Sequence, residues 1–326
     1  MKKRWLIFPI CLLFVLLGLT IGKIFHHQYQ QILFEKSTPS ALVADPSGNA
    51  FEMPFTAQLK QLDFDKYPSG KTKQIKATVC FQDREGAETL TVSVNHPVRY
   101  HQFQVYLDDY QTANGQMPAC VHLMFVQQPA QMLVYVGLIA LLLACIGWLV
   151  MTCSRALKHT SAKFWIGILI LLTLVTTIIV VTNPMMRHAE VPPILRSVWF
   201  LPHVIAYILS YTLLVAAFVF SLLEWIKSDM DKFSSPLFQA GTALYSIGLI
   251  LGMLWAKAAW GTFWGWDPKE SAALITWIVC VAVCHIHHFK KPSAKSCFWM
   301  QLLCVLCLLF GWFGVQWLHL GGLHAY

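Results

Sequence analysis

The stretch Trp255-Ala-Lys-Ala-Ala-Trp-Gly-Thr-Phe-Trp-Gly-Trp-Asp-Pro-Lys-Glu270 lies between two hydrophobic segments, each long enough to cross a bilayer. It holds four tryptophans, a phenylalanine and two carboxylic acids. Tryptophan prefers the membrane–water boundary, where its ring is half buried and its N–H stays hydrated. The stretch therefore predicts an aromatic shelf at one surface of a helical membrane protein, suited to a large, flat, apolar ligand with a polar edge.

Composition supports a membrane protein and excludes several other classes. Of 326 residues, 56% are hydrophobic and 12% are charged, whereas soluble domains carry about 25% charged residues. The net charge of +8 does not indicate nucleic-acid binding, because the basic residues fall between hydrophobic spans on alternate sides. The sequence contains no Gly-rich phosphate loop, no Ser/His/Asp arrangement and no HExxH motif, which excludes a nucleotide-driven or hydrolytic enzyme.

The fold class predicted from these patterns is an all-α polytopic membrane protein with about seven transmembrane helices and a small external β-rich domain. Each predicted span is close to the ~20 residues that a membrane-crossing helix needs. The spans are Trp5–Gly22, Met132–Thr152, Phe164–Thr182, Trp199–Leu222, Ala240–Ala256, Ser271–Phe289 and Phe298–Leu318.

Basic residues predict the orientation of these spans. Lysines and arginines precede the first span and follow the second, fourth and sixth. The positive-inside rule then places the N-terminus inside, with the Trp-rich loop 255–270 and the C-terminus outside. The first span is predicted to be an uncleaved anchor, because no small-x-small cleavage site follows its apolar core.

Three regions follow from this topology: an N-terminal anchor (1–24), an external β-rich domain (25–130) and a transmembrane domain (131–326). In the second region apolar and polar residues alternate around 75–81, 90–94, 103–107 and 121–125, which is typical of half-buried strands. Asp83-Arg-Glu-Gly86 predicts a hairpin turn between two of them. The region holds no catalytic constellation, and its histidines lack metal-ligand spacing.

The cysteines do not form a disulfide framework. Most of the ten cysteines fall inside predicted helices, where cysteine behaves as a small hydrophobic residue. Cys304 and Cys307 form a CxxC within an apolar run and are interpreted as packing residues. Cys80 and Cys120 lie on the outer side, and whether they pair stays open at this point.

Two histidines are predicted to lie at the depth of the Trp-rich loop. His203 stands at the outer end of the fourth span, and His324 lies just beyond the seventh. Two imidazoles on separate helices suit the two axial positions of a haem iron. The residues predicted to contact the porphyrin are Trp255, Trp260, Trp264, Trp266 and Asp267. Candidates for the propionates, left open, are Lys257, Lys269 and Arg196.

A third histidine is predicted to lie within the membrane. Ionisable residues at that depth are functional candidates, so His285, near the inner end of the sixth span, is a candidate intramembrane haem ligand. Its second axial ligand is unassigned. Metal ligands are therefore predicted at His203 and His324, and a further one at His285.

The motif residues resemble a known family of haem-handling membrane proteins. Trp260 to Glu270, continuing to Leu274-Ile-Thr-Trp277, resembles the WWD signature of the CcsA-type (system II) cytochrome c biogenesis proteins. The tail Gly322-Leu-His-Ala-Tyr326 is similar to that family's outer histidine motif. Asn95-His-Pro-Val-Arg-Tyr100 is similar to the partner family, CcsB (ResB-like), in shortened form. The pair Lys257-Ala258 departs from the more polar or acidic pair usual there.

The resemblance implies a haem-lyase type enzyme in a bacterial cytoplasmic (inner) membrane. Such a protein binds haem b, exports it and presents it, and joins it covalently to apocytochrome c at the outer face. Implied partners are an apocytochrome c with a CxxCH motif, thiol-reducing proteins and a separate CcsB/ResB-like chain. The alternatives are a transporter of haem or another apolar ligand, and an assembly factor without ligation activity.

Overall fold

A computed structural model describes residues 7–113, 118–159, 167, 190–227 and 233–322. Its helices have these bounds: α1 Ile7–Ile24, α2 Gln131–His159, α3 Phe200–Ile226, α4 Ser234–Trp260, α5 Pro268–Lys290, α6 Ala294–Leu309 and α7 Val315–Trp317. A π-helical segment, Phe310–Gly314, joins α6 to α7, and a short 3-10 turn, Pro193–Leu195, precedes α3.

The region between α1 and α2 is one eight-stranded antiparallel sheet, called the β-region below. Its strands are β1 His27–Phe34, β2 Ser40–Ala44, β3 Ala50–Lys66, β4 Thr72–Gln82, β5 Ala87–Ser93, β6 Val98–Tyr100, β7 Phe103–Gln111 and β8 Cys120–Gln127. The spatial order is β5-β4-β3-β2-β1-β8-β7-β6. The edge strands β5 and β6 approach each other at a bridge between Ser93 and His96, so the sheet nearly closes on itself.

The inward side chains of this curled sheet form a core of their own. They come from alternate positions of the strands, as the side-chain period of two requires. Phe55, Phe81, Tyr100, Phe103 and Phe125 pack ring against ring at its centre, with centroids 4.7 to 6.4 Å apart. The β-region therefore has a core of its own. Phe81, Phe103 and Phe125 lie at positions that the alternation predicted, whereas Phe55 and Tyr100 do not.

Glycines on α4 permit close packing against α3. A Cβ built at Gly241 would lie 3.0 Å from the Leu214 side chain, and one at Gly248 would lie 3.1 Å from the Tyr207 ring. Nearby, the Ser210 hydroxyl donates to the Gly241 carbonyl at 2.8 Å. Small residues bring the backbones of membrane helices together, so α3 and α4 form the rigid centre of the helical region.

The predicted all-α class with about seven spans is wrong. Within the described residues, five helices are long and apolar enough to cross a membrane, and an eight-stranded sheet accompanies them. The described apolar part of α1, Val15–Ile24, is shorter than that. The alternation pattern identified only four strands. The long β3 was missed although apolar residues alternate from Phe51 to Leu59; a bulge between Leu59 and Gln61 then shifts the alternation to Leu62 and Phe64. The predicted span Phe164–Thr182 lies outside the described residues, apart from Gly167.

Smaller expectations have clear outcomes. The Asp83–Gly86 hairpin turn is confirmed: the Asp83 carboxylate accepts the backbone N–H groups of Glu85 and Gly86, at 2.7 and 3.0 Å. Cys304 is buried in the helical core, which confirms its packing role. Cys80 and Cys120 are both free thiols. The packing of the helices and the β-region determines where the candidate site lies.

Candidate functional site

The Trp-rich loop joins α4 to α5 on the side of the helical region that faces the β-region. At least three cavities are lined by residues of this loop, and two of them also contain a candidate histidine. The first, of about 310 Å³, is lined by His203 and is called the His203 cavity. The second, of about 380 Å³, is lined by His285 and is called the His285 cavity. Trp264, Leu249 and Met253 line both.

His203 is held in one orientation by the helix packed against it. Its ring nitrogen Nδ1 lies 2.8 Å from the Gly248 carbonyl oxygen. A carbonyl can only accept, so Nδ1 carries the proton and Nε2 carries the lone pair, the form in which imidazole ligates a metal. A Cβ built at Gly252 would lie 2.7 Å from the His203 ring, so the ring occupies space that only glycine leaves.

Trp255 is an anchor of the helical core and does not lie on a surface shelf. Its side chain is 1% exposed. The indole Nε1–H donates to the Ile194 carbonyl at 3.2 Å, and the ring lies beside those of His203 and Trp260, with centroids 5.9 and 4.9 Å away. Trp255 therefore fixes the back wall of the His203 cavity.

The other three tryptophans differ in burial. Trp260 is half buried at the end of α4, and Trp264 is half buried where the cavities meet. The Trp264 Nε1 is buried and has no hydrogen-bond partner among the described residues. Trp266 is 66% exposed and adopts a left-handed backbone, with φ of 56°. The loop thus offers one exposed indole and one buried N–H donor.

The two acids of the motif hold the loop in place. Asp267 is the N-cap of α5, and its carboxylate accepts the Lys269 N–H at 2.7 Å. The Glu270 carboxylate reaches back to accept the N–H groups of Gly265 and Asp267, at 2.8 and 3.3 Å. This is a capping box. Asp267, predicted to contact the ligand, is buried and caps α5; its contact with a ligand stays a prediction.

The His285 cavity is almost wholly apolar. Its wall includes Cys145, Trp148 and Trp277, with residues of α1 on one side. His285 is exposed, and its Nδ1 lies 3.1 Å from the Val281 carbonyl of its own helix. No described group of three or more His, Cys, Asp or Glu residues is arranged to hold a metal. Among the described residues that line this cavity, His285 is the only histidine.

The three candidate propionate partners lie in different places. Lys269 lines the His203 cavity. Lys257 is 3% exposed, and its ammonium donates to Gln128 Oε1 and to the Gly261 carbonyl, both at 2.9 Å. Arg196 donates to the Lys73 carbonyl at 3.4 Å and faces the Tyr67 ring. Of the three, only Lys269 borders a described cavity near the loop.

His324 lies outside the described residues. The last described residue, Gly322, has φ of 137° and packs on the cap of α5. A Cβ built there would overlap the Asp267 carboxylate, at 2.1 Å. The described chain therefore ends against the Trp-rich loop.

A contact between the β-region and the loop was missed at the sequence level. Tyr106, Met124 and Val126 are buried on the sheet face opposite the core. A Cβ built at Gly261, the left-handed C-cap of α4, would lie 3.1 to 3.2 Å from these three side chains. The available signal was Met124 and Val126, which are apolar at positions that the alternation assigns to the solvent-facing side.

A second contact clamps the β-region to α4. Asn95 on the β-region donates its amide to the carbonyls of Pro193 and Ile194, at 2.7 and 3.1 Å. The same Ile194 carbonyl accepts the Trp255 indole N–H. Through these contacts the β-region and the Trp-rich loop lie on the same side of the helices, as the charge pattern predicted.

Comparison with known proteins agrees with the motif residues. The family model described as "Cytochrome C assembly protein" matches residues 131–324, and the one described as "ResB-like family" matches residues 5–122. A cytochrome c biogenesis protein CcsA from Guillardia theta is 30% identical over 176 residues, covering 44% of this chain and 58% of the relative.

Two further relatives carry the same printed name, cytochrome c biogenesis protein CcsA. The Chlamydomonas reinhardtii protein is 29% identical over 157 residues, covering 44% of each chain. The Synechococcus sp. (strain JA-3-3Ab) protein is 42% identical over 104 residues, covering 30% of this chain and 28% of the relative. The chain thus spans about half the length, or less, of these curated relatives.

Proposed function

This chain belongs to the cytochrome c assembly protein family, and from that premise we propose that it binds haem b and presents it for covalent attachment to apocytochrome c. Its role in cytochrome c biogenesis and its multi-pass membrane character follow from the family and from the five apolar helices found among the described residues. The proposal adds the reaction, the site residues and the location: a bacterial cytoplasmic membrane, with the Trp-rich loop outside.

The observation that carries the proposal is the fixed imidazole of His203. Its Nδ1–H is donated to Gly248, so its Nε2 has the lone pair that an iron ligand requires. The ring borders a cavity walled by Trp255, Trp264 and Phe263, which offer flat apolar faces to a porphyrin. Lys269 on the same wall is the proposed partner of a propionate.

His324 is the proposed second axial ligand. It follows Gly322 by two residues, and two extended residues span at most about 7 Å. Gly322 packs on Asp267 at the loop, which supports a ligand supplied from this end of the chain. Ligation by two imidazoles fills both axial positions, so it opposes O₂ binding and suits a carrier of haem.

The proposed reaction is the addition of two thiols to two vinyl groups. At each vinyl the thiol S–H bond and the C=C π bond break, while a C–S bond and a C–H bond form, so no external oxidant is consumed. The apocytochrome brings both thiols in its CxxCH segment. Holding haem and peptide together replaces a bimolecular encounter by a near-unimolecular one. The thiols must be reduced, so thiol-reducing proteins are proposed partners.

The His285 cavity is the proposed place where haem enters. It is apolar and shares a wall with the His203 cavity at Trp264. His285 is the proposed ligand there. A separate CcsB/ResB-like chain is the proposed source of the second ligand, which is unassigned in this chain. The ResB-like match to residues 5–122 supports a working relation with that second family.

The test is an absorption spectrum of the full-length protein purified after haem-replete expression. Reduced wild-type protein should give a bis-imidazole haem spectrum. His203→Gly and His324→Gly should each lose it, and added imidazole should restore it. His122→Gly, a change in the β-region, is the control and should leave the spectrum unchanged.

The outcomes separate the alternatives. Wild-type protein without a haem spectrum contradicts the proposal, and unchanged spectra in both variants remove these histidines as ligands. Haem binding without thioether formation, when reduced apocytochrome and the ResB-like partner are supplied, favours a transporter or assembly factor. Formation of the thioether product supports the lyase.

A further inference from the structure

We propose that Lys257 is a positioning residue that ties the start of the Trp-rich loop to the β-region and thereby sets the haem site. This inference rests on the proposed function, because it concerns the same loop. Lys257 does not line either cavity described above. It acts through the Gly261 carbonyl and not by contact with haem.

The first step in the argument is the burial of an ammonium group. Lys257 is 3% exposed, and the ion pairs found among the described residues do not include it. Burying such a charge is costly unless its donors are satisfied. Gln128 Oε1 and the Gly261 carbonyl each accept one of its hydrogen bonds at 2.9 Å. Releasing either acceptor would leave a buried donor unmet.

Aromatic rings complete the environment of the charge. The Lys257 ammonium lies 5.6 Å from the centroid of Tyr106, on the β-region, and 5.7 Å from that of Phe263, on the loop. Cations are attracted to ring faces at this range, more strongly when they are desolvated. The Lys257 side chain therefore contacts both the β-region and the loop, in each case through one hydrogen bond and one cation–ring contact.

The packing around Gly261 explains why the loop cannot shift without disturbing the contact between Lys257 and the Gly261 carbonyl. Gly261 is the αL cap of α4, and its N–H donates to the Lys257 carbonyl at 3.2 Å. Its Cα faces Tyr106, Met124 and Val126 so closely that a Cβ would lie within 3.2 Å of each. The residues that follow, Phe263 and Trp264, line the His203 cavity. A displacement at Gly261 is therefore passed directly to the cavity wall.

A short polar chain extends the link to the junctions of the β-region. Gln128 precedes α2, and its amide nitrogen lies 3.1 Å from His26 Nδ1, just after α1. His26 Nε2 lies 3.3 Å from Gln28 on β1. Both covalent connections between the β-region and the helices thus meet at the group that holds Lys257.

The test compares three variants of the full-length protein: Lys257→Met, Gln128→Met and, as a control, Lys290→Met. Methionine keeps the apolar stem of Lys257 and removes its charge and donors. Gln128→Met removes the acceptor on the β-region side, together with the amide contact to His26, and leaves Lys257 itself in place. Lys290 is exposed at the far end of α5, so its variant reports the loss of a lysine alone.

The primary measurement is amide hydrogen exchange at Gly261–Trp266, without added haem. We expect exchange at least tenfold faster in Lys257→Met and Gln128→Met, with α2 unchanged. The second measurement is the haem reduction potential and affinity. Both variants should shift the potential and weaken haem binding at least tenfold, whereas Lys290→Met should match the wild type.

The results distinguish this proposal from the proposed function. If the loop amides exchange at the wild-type rate in both variants, the proposed role of Lys257 is overturned, whether or not the protein binds haem. Faster exchange spread evenly over the chain also overturns it, because that reports general destabilisation. If Lys257→Met fails to fold, Gln128→Met decides the matter. Faster loop exchange in the two variants, combined with a wild-type protein that binds no haem, would support the role of Lys257 and contradict the haem function.

Discussion

The His203 cavity and the His285 cavity share Trp264 as a wall, yet their histidines are held differently. His203 donates to a carbonyl on a neighbouring helix, and Gly252 leaves room for its ring. His285 is exposed, and its Nδ1 lies 3.1 Å from the Val281 carbonyl of its own helix. A group fixed by a second helix is pre-organised for ligation. The comparison supports the proposal that haem is held beside His203 and only passes through the cavity beside His285.

Gly252 offers the most direct test of whether the fixed orientation of the His203 ring matters. In Gly252→Ala, the new Cβ would lie 2.7 Å from the His203 ring, so the ring must leave its bond to Gly248. We expect haem affinity to fall at least about tenfold, or 1.4 kcal/mol, measured by haem titration. Gly147→Ala is the control, because its Cβ meets no atom within 4 Å. Equal affinity in the two variants would show that the fixed ring is unimportant.

Trp264 tests whether the two cavities are separate sites. In Trp264→Leu, the shared wall loses its indole, and about 1 kcal/mol of ring contact with haem is lost. Haem affinity should fall roughly fivefold, and the reduced spectrum should become heterogeneous. Trp299→Leu, an exposed position on α6, should bind as the wild type does. If Trp264→Leu binds haem with wild-type affinity and gives a single wild-type spectrum, Trp264 does not separate two haem sites.

Asp267 tests whether the acids act on the loop. Asp267→Ala removes the cap of α5 and should lower the free energy of unfolding by about 1 kcal/mol. Ser293→Ala removes the cap of α6, whose hydroxyl accepts the Ser296 N–H at 3.2 Å, and should cost a similar amount. Only the first should also weaken haem binding. Equal haem binding in the two capping variants would contradict the assigned role of Asp267.

The smallest effect is expected in the β-region, far from haem. A hydrogen bond from His101, with others from Glu85 N–H and Tyr100, lowers the pKa of Asp83 to about 2. A depressed carboxyl pKa stabilises the fold above the unfolded pKa of about 4, and this stability is lost as pH falls towards about 2. Asp83→Asn should therefore flatten the acid dependence of β-region unfolding, followed by circular dichroism. Haem binding at neutral pH should not change.

Several features of this protein could be predicted from residues alone. The Trp-rich loop, His203 and the strands around Val79, Val92, Val105 and Leu123 follow from local pattern, because membrane burial and sheet burial impose short periods. The shared side of His203 and the loop followed from charge. The number of strands was not predicted, and in the long strand Ala50–Lys66 a bulge after Leu59 shifts the phase of an alternation that is otherwise visible from Phe51.

The membrane class, the loop and the family can be recognised in the amino-acid sequence, because hydrophobic length and a dense motif are local properties of the chain. The role of each motif residue, by contrast, follows from the folded arrangement. That arrangement makes Trp255 a core anchor, Asp267 a cap and Lys257 a buried link to the β-region. These roles depend on partners distant along the chain, such as Ile194 and Gln128, and packing brings such residues together without a repeating pattern in the sequence.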